Sequence, residues 1–285
     1  MTLADIFSDP FLTKIVIKAL IVGTLVSLSA SMLGASLVLK RYSMIGDGLS
    51  HVGFFSLAIA TVLGLADYSM ELSIPIVIVC AFFILRLREN SHIKGDAAIA
   101  MLSTGAIAVG SLVFNFSGTR STDICNSLFG SSSIITLTDR ELVMSIVLSI
   151  AVILLFALFY HKIFAVTFDE NFSSATGIRT DLYKSLIAIL TAVTIVIGMQ
   201  MMGSIMISAL VIFPALTAMR VCRSFKSVVL FSTALAVVCF LIGFFVACRL
   251  SFQTGATVVT VHIFVFLVFS VGSALATHRL IRKHR

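Results

Sequence analysis

The sequence predicts an all-α polytopic membrane protein, and three observations carry that prediction. Apolar residues make up 59% of the 285 residues and charged residues 12%, against roughly 25% charged in a soluble domain. The mean hydropathy is +1.13. The apolar residues also fall into separate runs near the roughly 20 residues a helix needs to cross the hydrocarbon core of a bilayer. Strands are excluded for exposed spans, because an open sheet edge in lipid leaves backbone groups unsatisfied. With three prolines and no long polar tract, the chain is expected to form a single transmembrane domain over residues 1–285.

About nine runs qualify as spans by length. In order they cover residues 15–39, 44–66, 72–85, 97–116, 142–160, 186–201, 204–219, 228–247 and 256–276. The first is longer than a signal-peptide core and lacks a cleavage site at its end, so no cleavable leader is expected. It carries Gly23, Ser27 and Ser31 at four-residue spacing, with Ala30 and Gly34 beside them, a pattern that lets helices approach closely. The third, sixth and seventh runs are short, and eight spans with one re-entrant segment is the alternative count.

The net charge of +7 does not point to nucleic acid, because the basic residues occupy gaps between apolar runs. Lys14, Lys18, Arg120, Arg140 and Arg249 lie on one side of the membrane. The rest of the 20 Lys and Arg lie on the other, in the gaps holding Lys40 and Arg41, Arg86 to Lys94, Lys162 to Lys184, Arg220 to Lys226, and the basic C-terminus. The richer side is expected to be cytoplasmic. The N-terminus then faces outward and the C-terminus inward, which requires an odd number of spans.

Cys80, Cys125, Cys222, Cys239 and Cys248 show no CxxC spacing and read as small hydrophobes. Two inter-span segments exceed a turn. Residues 117–141 lie outside, and their apolar patch 124–129 predicts a short surface or re-entrant helix. Residues 164–184 lie on the cytoplasmic side, where Asp169 and Glu170 precede a short helix that ends near Gly177. Helix signals alone make a solvated loop the simpler reading, with a docking element for a soluble partner as the alternative.

Ionisable groups inside a span are costly and mark pathways. Asp47 and His51 are four residues apart in the second run, so in a helix they share a face. Oxygen and nitrogen ligands suit manganese, zinc or iron, but two ligands do not complete a site. An Asp–His hydrogen bond at a helix start near the interface is an equally good reading of the spacing. Gly46, Gly48 and Gly53 flank the pair and imply close backbone approach or a helix break. His262 sits in the last run and reads first as bonded to a neighbouring helix, second as a ligand or proton relay. Asp96 reads as a helix cap or a partner of Lys94, and Asp123 as solvated or capping. His92, His161, His278 and His284 read as interface residues. No GxxxxGK[ST], HExxH or GxSxG motif is present, so the chain lacks the P-loop for ATP and the usual signatures of intramembrane hydrolysis.

Five segments then carry a resemblance. LVLKRYSMIGDGLSH (37–51), TDICNSLFGSSSIITLTDREL (122–142), VTFDENFSSATGIR (166–179), MMGSIMISALVIFPALTAMR (201–220) and SFQTGATVV (251–259) resemble, in order, the basic turn with its GDxLSH element, the external D-x-x-x-x-LFG segment, the ATPase-docking element, the proline-bearing span and the PTGA turn of the membrane subunits of zinc, manganese and iron ABC importers. The resemblance covers nearly the whole chain. It implies a permease fold similar to the cobalamin and siderophore types, in a bacterial plasma membrane. It also implies a permease homodimer, two cytoplasmic ATP-binding subunits that carry the hydrolysis, and an external metal-binding protein. Asp47 and His51 are expected to line the path as transient ligands, with His262 and Asp123 as further path or structural residues. Residues 168–181, with Phe168, Asp169, Glu170, Ala175 and Gly177, are expected to meet the ATPase. The transported manganese, zinc or iron is the only metal expected, with no resident cofactor. Three departures stand out. Gln253 replaces a frequent proline, and Ser131, Ser132 and Ser133 follow LFG in place of a more apolar or asparagine-containing stretch. Thr104 stands where zinc-type members carry histidine, which points away from that subgroup without fixing the metal. The rival readings are a self-contained ion-coupled secondary transporter and, more remotely, an intramembrane metalloenzyme.

Overall fold

A computed structural model of the chain describes residues 10–40, 42–90, 95–116 and 138–283, together with Gly118, Leu128 and Gly130. Among these residues the regular structure is entirely helical. The helices are α1 (Pro10–Leu39), α2 (Ile45–Val62), α3 (Ser69–Asn90), α4 (Gly95–Phe116), α5 (Asp139–Leu158), α6 (Tyr160–Phe168), α7 (Glu170–Ala175), α8 (Thr180–Met202), α9 (Ser204–Val221), α10 (Phe225–Leu250) and α11 (Thr254–Lys283). Nine helices among the described residues are long and apolar enough to cross a membrane, the larger of the two expected numbers.

The three runs that looked short belong to full-length helices. α3 extends through Pro75, a residue that neighbouring groups accommodate in a membrane helix. α8 begins six residues earlier than its apolar run, because its first-turn charges are paired. Lys184 Nζ lies 2.9 Å from Asp181 Oδ1 and 2.7 Å from Glu170 Oε1. α8 and α9 are separated by Gly203 alone, whose φ of +89° suits only glycine. Gly130, also at positive φ, seats against this break. A Cβ there would lie 2.1 Å from the Met202 carbonyl oxygen.

The N-terminal parts of α1, α3 and α5 are tied by charge. Lys18 pairs with Asp139 and Arg140 with Glu71. Thr138 and Glu141 form a capping box that starts α5. Much of the predicted external helix at 124–129, including Cys125, lies outside the described residues, as do Asp123 and Lys94. The side chain of Asp96 does too.

α2, α8 and α9 are the most buried of these helices, with 61%, 72% and 61% of their membrane-crossing windows inside the bundle. The small-residue pattern of α1 serves close approach as expected, since a Cβ on Gly34 would fall 2.1 Å from the backbone oxygen of Val211 in α9. Gly46 also faces Val211, at 3.5 Å from a built Cβ. Val211 stands near the middle of α9, so α2 begins level with the middle of its neighbour. Asp47, in the first turn of α2, therefore lies beside the middle of α9, with its side chain 37% exposed.

Candidate functional site

α2 opens at Met44 without a side-chain cap, and Asp47 occupies its first turn. A carboxylate there is favoured by the exposed N–H groups of the helix start. The helix continues unbroken through Gly46, Gly48 and Gly53. Glycine here serves approach rather than a break, since a Cβ on Gly48 would meet Ile99 of α4 at 2.7 Å.

One helical turn brings His51 Nε2 to 3.4 Å from Asp47 Oδ1. Ser103 of α4 donates to Asp47 Oδ2 at 3.4 Å. Ser50 donates to the Asp47 carbonyl at 2.8 Å, and its hydroxyl lies 3.1 Å from that of Ser208 in α9. Ser208 in turn donates to the Ser204 carbonyl at 3.0 Å. The Asp47 side chain is 37% exposed and that of His51 12%. His51 Nδ1 and Ser204 Oγ are buried without a hydrogen-bond partner among the described residues. A carboxylate, an imidazole and a row of hydroxyls thus converge where α2, α4 and α9 meet. This set offers oxygen and nitrogen donors to a cation. Among the described residues no three His, Cys, Asp or Glu side chains gather as a metal-binding group, so Asp47 and His51 alone do not complete a metal site.

His262 departs from the expected bond to a neighbouring helix. Its Nδ1 donates to the Val258 carbonyl one turn back in α11, at 2.8 Å, because that oxygen is within reach on its own helix. Its Nε2 is buried without a partner among the described residues.

The expected docking residues are contiguous. Phe168 ends α6, and Asp169 caps α7 by accepting from Phe172 N at 2.9 Å. Ala175 ends α7, and Gly177 turns the chain at φ +83°. Phe164, Phe168 and Phe172 are all exposed. Glu170 instead turns toward Lys184 and Lys40.

Sequence reasoning missed Ser103 and Ser208, which approach the Asp47 face from α4 and α9. Ser50 had a signal, three residues after Asp47 in the same motif. Thr104, which marked a departure from zinc-type chains, is exposed and bonds to the Ala100 carbonyl in its own helix at 2.9 Å. It is its neighbour Ser103 that faces Asp47.

Comparison with known proteins adds an independent line. The manganese import system permease protein ScaB of Streptococcus gordonii is 29% identical over 258 residues, covering 90% of each chain. The solved structure of PsaBC from Streptococcus pneumoniae in complex with Fab matches with a TM-score of 0.80 and 27% identity, over 94% of this chain and 95% of that one. A transporter of metal-chelate ABC type in an inward-facing conformation shares the fold, with a TM-score of 0.76 at 17% identity over 93% of this chain and 89% of that one. Residues 12–273 match the ABC 3 transport family, and the chain belongs to it.

Proposed function

We propose that the chain is the permease subunit of an ATP-driven importer that passes a divalent transition metal, manganese first, into the cytoplasm. The observation that carries this reading is the Asp47–His51 pair, with hydroxyls around it where α2, α4 and α9 meet. Their 3.4 Å separation is that of a long hydrogen bond, like the one Ser103 gives the same carboxylate. It is close to the roughly 3.0–3.5 Å between two ligands that each lie about 2.1 Å from one ion. Two protein ligands hold an ion weakly enough to release it, as a path requires. Manganese is favoured by the names of the streptococcal relatives and by the oxygen and nitrogen donors.

In this reading a second copy of the chain forms a homodimer, and two cytoplasmic ATP-binding subunits supply the energy. An external metal-binding protein delivers the ion. The N-terminus lies outside and the C-terminus inside, as the distribution of Lys and Arg requires. Residues 164–184 dock the ATPase, with Phe168, Asp169, Glu170, Ala175 and Gly177 in or beside the contact. The exposed Phe164, Phe168 and Phe172 support this, because large apolar residues on a polar connection favour contact with a partner.

The test is manganese uptake by membranes or liposomes holding the chain with its ATPase. ATP-dependent uptake, with ATPase co-purification lost in Phe172→Asp, is the expected result. Uptake driven by an ion gradient without any ATPase would instead support the secondary transporter.

A further inference from the structure

We propose that Glu170 is a positioning residue that passes movement of the docking helix to both walls of the metal path. The inference rests on the docking reading of residues 164–184, and it changes the role of one residue within it. Glu170 is about half exposed, and its two carboxylate oxygens lie near two lysines, Lys184 in α8 and Lys40 just past the end of α1.

Glu170 Oε1 lies 2.7 Å from Lys184 Nζ, and Oε2 lies 3.9 Å from Lys40 Nζ. The lysine side chains are only 12% and 9% exposed, while the Glu170 side chain is 45% exposed. The shorter contact is a charge-assisted bond. Removing its acceptor would leave mostly buried ammonium groups with less compensation. α7 is six residues long, too short to hold a position by its own helical bonds, so contacts with the bundle set its place.

Each lysine leads to one side of the site. Lys40 follows the last residue of α1. A compact turn then runs into α2, with Tyr42 N donating to the Leu37 carbonyl at 2.8 Å and Ile45 N to the Tyr42 carbonyl at 3.0 Å. Asp47 comes two residues after Ile45. Lys184 lies near the start of α8, which runs as one helix to Met202. Beyond Gly203, α9 carries Ser208 to within 3.1 Å of Ser50. One carboxylate thus bonds Lys184 in the helix that precedes the Ser208 wall and pairs at longer range with Lys40, in the connection that leads to the Asp47 helix. A shift of α7 would pull on both through rigid elements. Such a route is established by measured coupling rather than by proximity.

The decisive readout is manganese taken up per ATP hydrolysed by the reconstituted complex, which a purely structural role would leave unchanged. Glu170→Gln is expected to keep the ATPase bound and hydrolysing while the ratio falls by about 5-fold or more, the lower end of typical coupling effects. Lys184→Gln should do the same, and the double variant should be no worse than either single one, as expected of partners in one interaction. Glu170→Asp, which retains the charge, should recover most of the ratio. If Glu170→Gln does not accumulate in the membrane, Lys184→Gln decides by the same ratio. An unchanged ratio overturns the inference. Loss of the ATPase from Glu170→Gln also overturns it, since Glu170 would then belong to the docking contact and the docking reading would stand. An ATPase that stays bound to Phe172→Asp removes the docking reading, and this inference with it.

Discussion

α8 and α11 are equally apolar over their membrane-crossing windows, yet 72% of that window is buried in α8 and 17% in α11. The difference teaches what hydropathy leaves undetermined in a bilayer. Lipid is as apolar as a protein core, so apolarity does not sort a helix inward. Packing against neighbouring helices does. α8 presents Thr191, Thr194, Gly198 and Gln200 to its neighbours, all of them buried. α11 exposes Phe264, Leu267, Val268, Val271 and Leu275, the side chains suited to acyl chains. The site lies with the interior group, where close approach leaves room for a row of hydroxyls around one carboxylate.

The contrast breaks most visibly at glycine. Gly34→Ala should destabilise the protein by about 1–3 kcal/mol or more, because the added carbon meets the backbone oxygen of Val211 rather than a flexible side chain. In α11, Gly272 has nothing within 4 Å of a built Cβ. Gly272→Ala should be neutral or stabilising by up to about 1 kcal/mol, from helix propensity. Thermal unfolding of the two variants in detergent makes the comparison. Equal midpoints would mean that α1 and α9 do not pack as closely as described.

A smaller effect separates adjacent residues of α4. Ser103→Ala removes a hydrogen bond to Asp47 and should lower uptake by less than about tenfold, in keeping with roughly 1 kcal/mol for one such bond. Thr104→Ala, on the exposed side, should leave uptake unchanged. A reversal of the two would place the path on the other face of α4. A smaller effect still belongs to the buried chain in which Gln200 donates to Ser73 at 3.2 Å and Ser56 to Ser73 at 2.7 Å. Gln200→Leu should cost about 0.6 kcal/mol, the average for hydrogen bonds between membrane helices. Leu267→Ile on the exposed face of α11 should stay within about 0.5 kcal/mol.

The spans were largely legible, because each is a run of apolar residues set off by charge. The start of α8 was not. Asp181 and Lys184 look like loop residues until Glu170, from the short helix before them, is seen to pair with Lys184. The Asp47–His51 pair was legible because helical spacing alone puts both residues on one face. Ser103 and Ser208 were not, since they reach Asp47 and Ser50 only through tertiary packing. The depth of the pair was hidden too. Nothing within α2 says that its first turn lies level with Val211 in the middle of α9. His262 shows the reverse error, since the nearest acceptor was on its own helix and not on a neighbour.

The most direct test of the central claim is ATP-driven manganese uptake by the reconstituted complex carrying Asp47→Ala or His51→Ala, at equal amounts of protein and with ATPase binding checked in each. Both variants should keep the ATPase and lose uptake by about tenfold or more, equivalent to at least 1.4 kcal/mol of lost stabilisation along the path. Unimpaired uptake in both would contradict the assignment of Asp47 and His51 to the metal path.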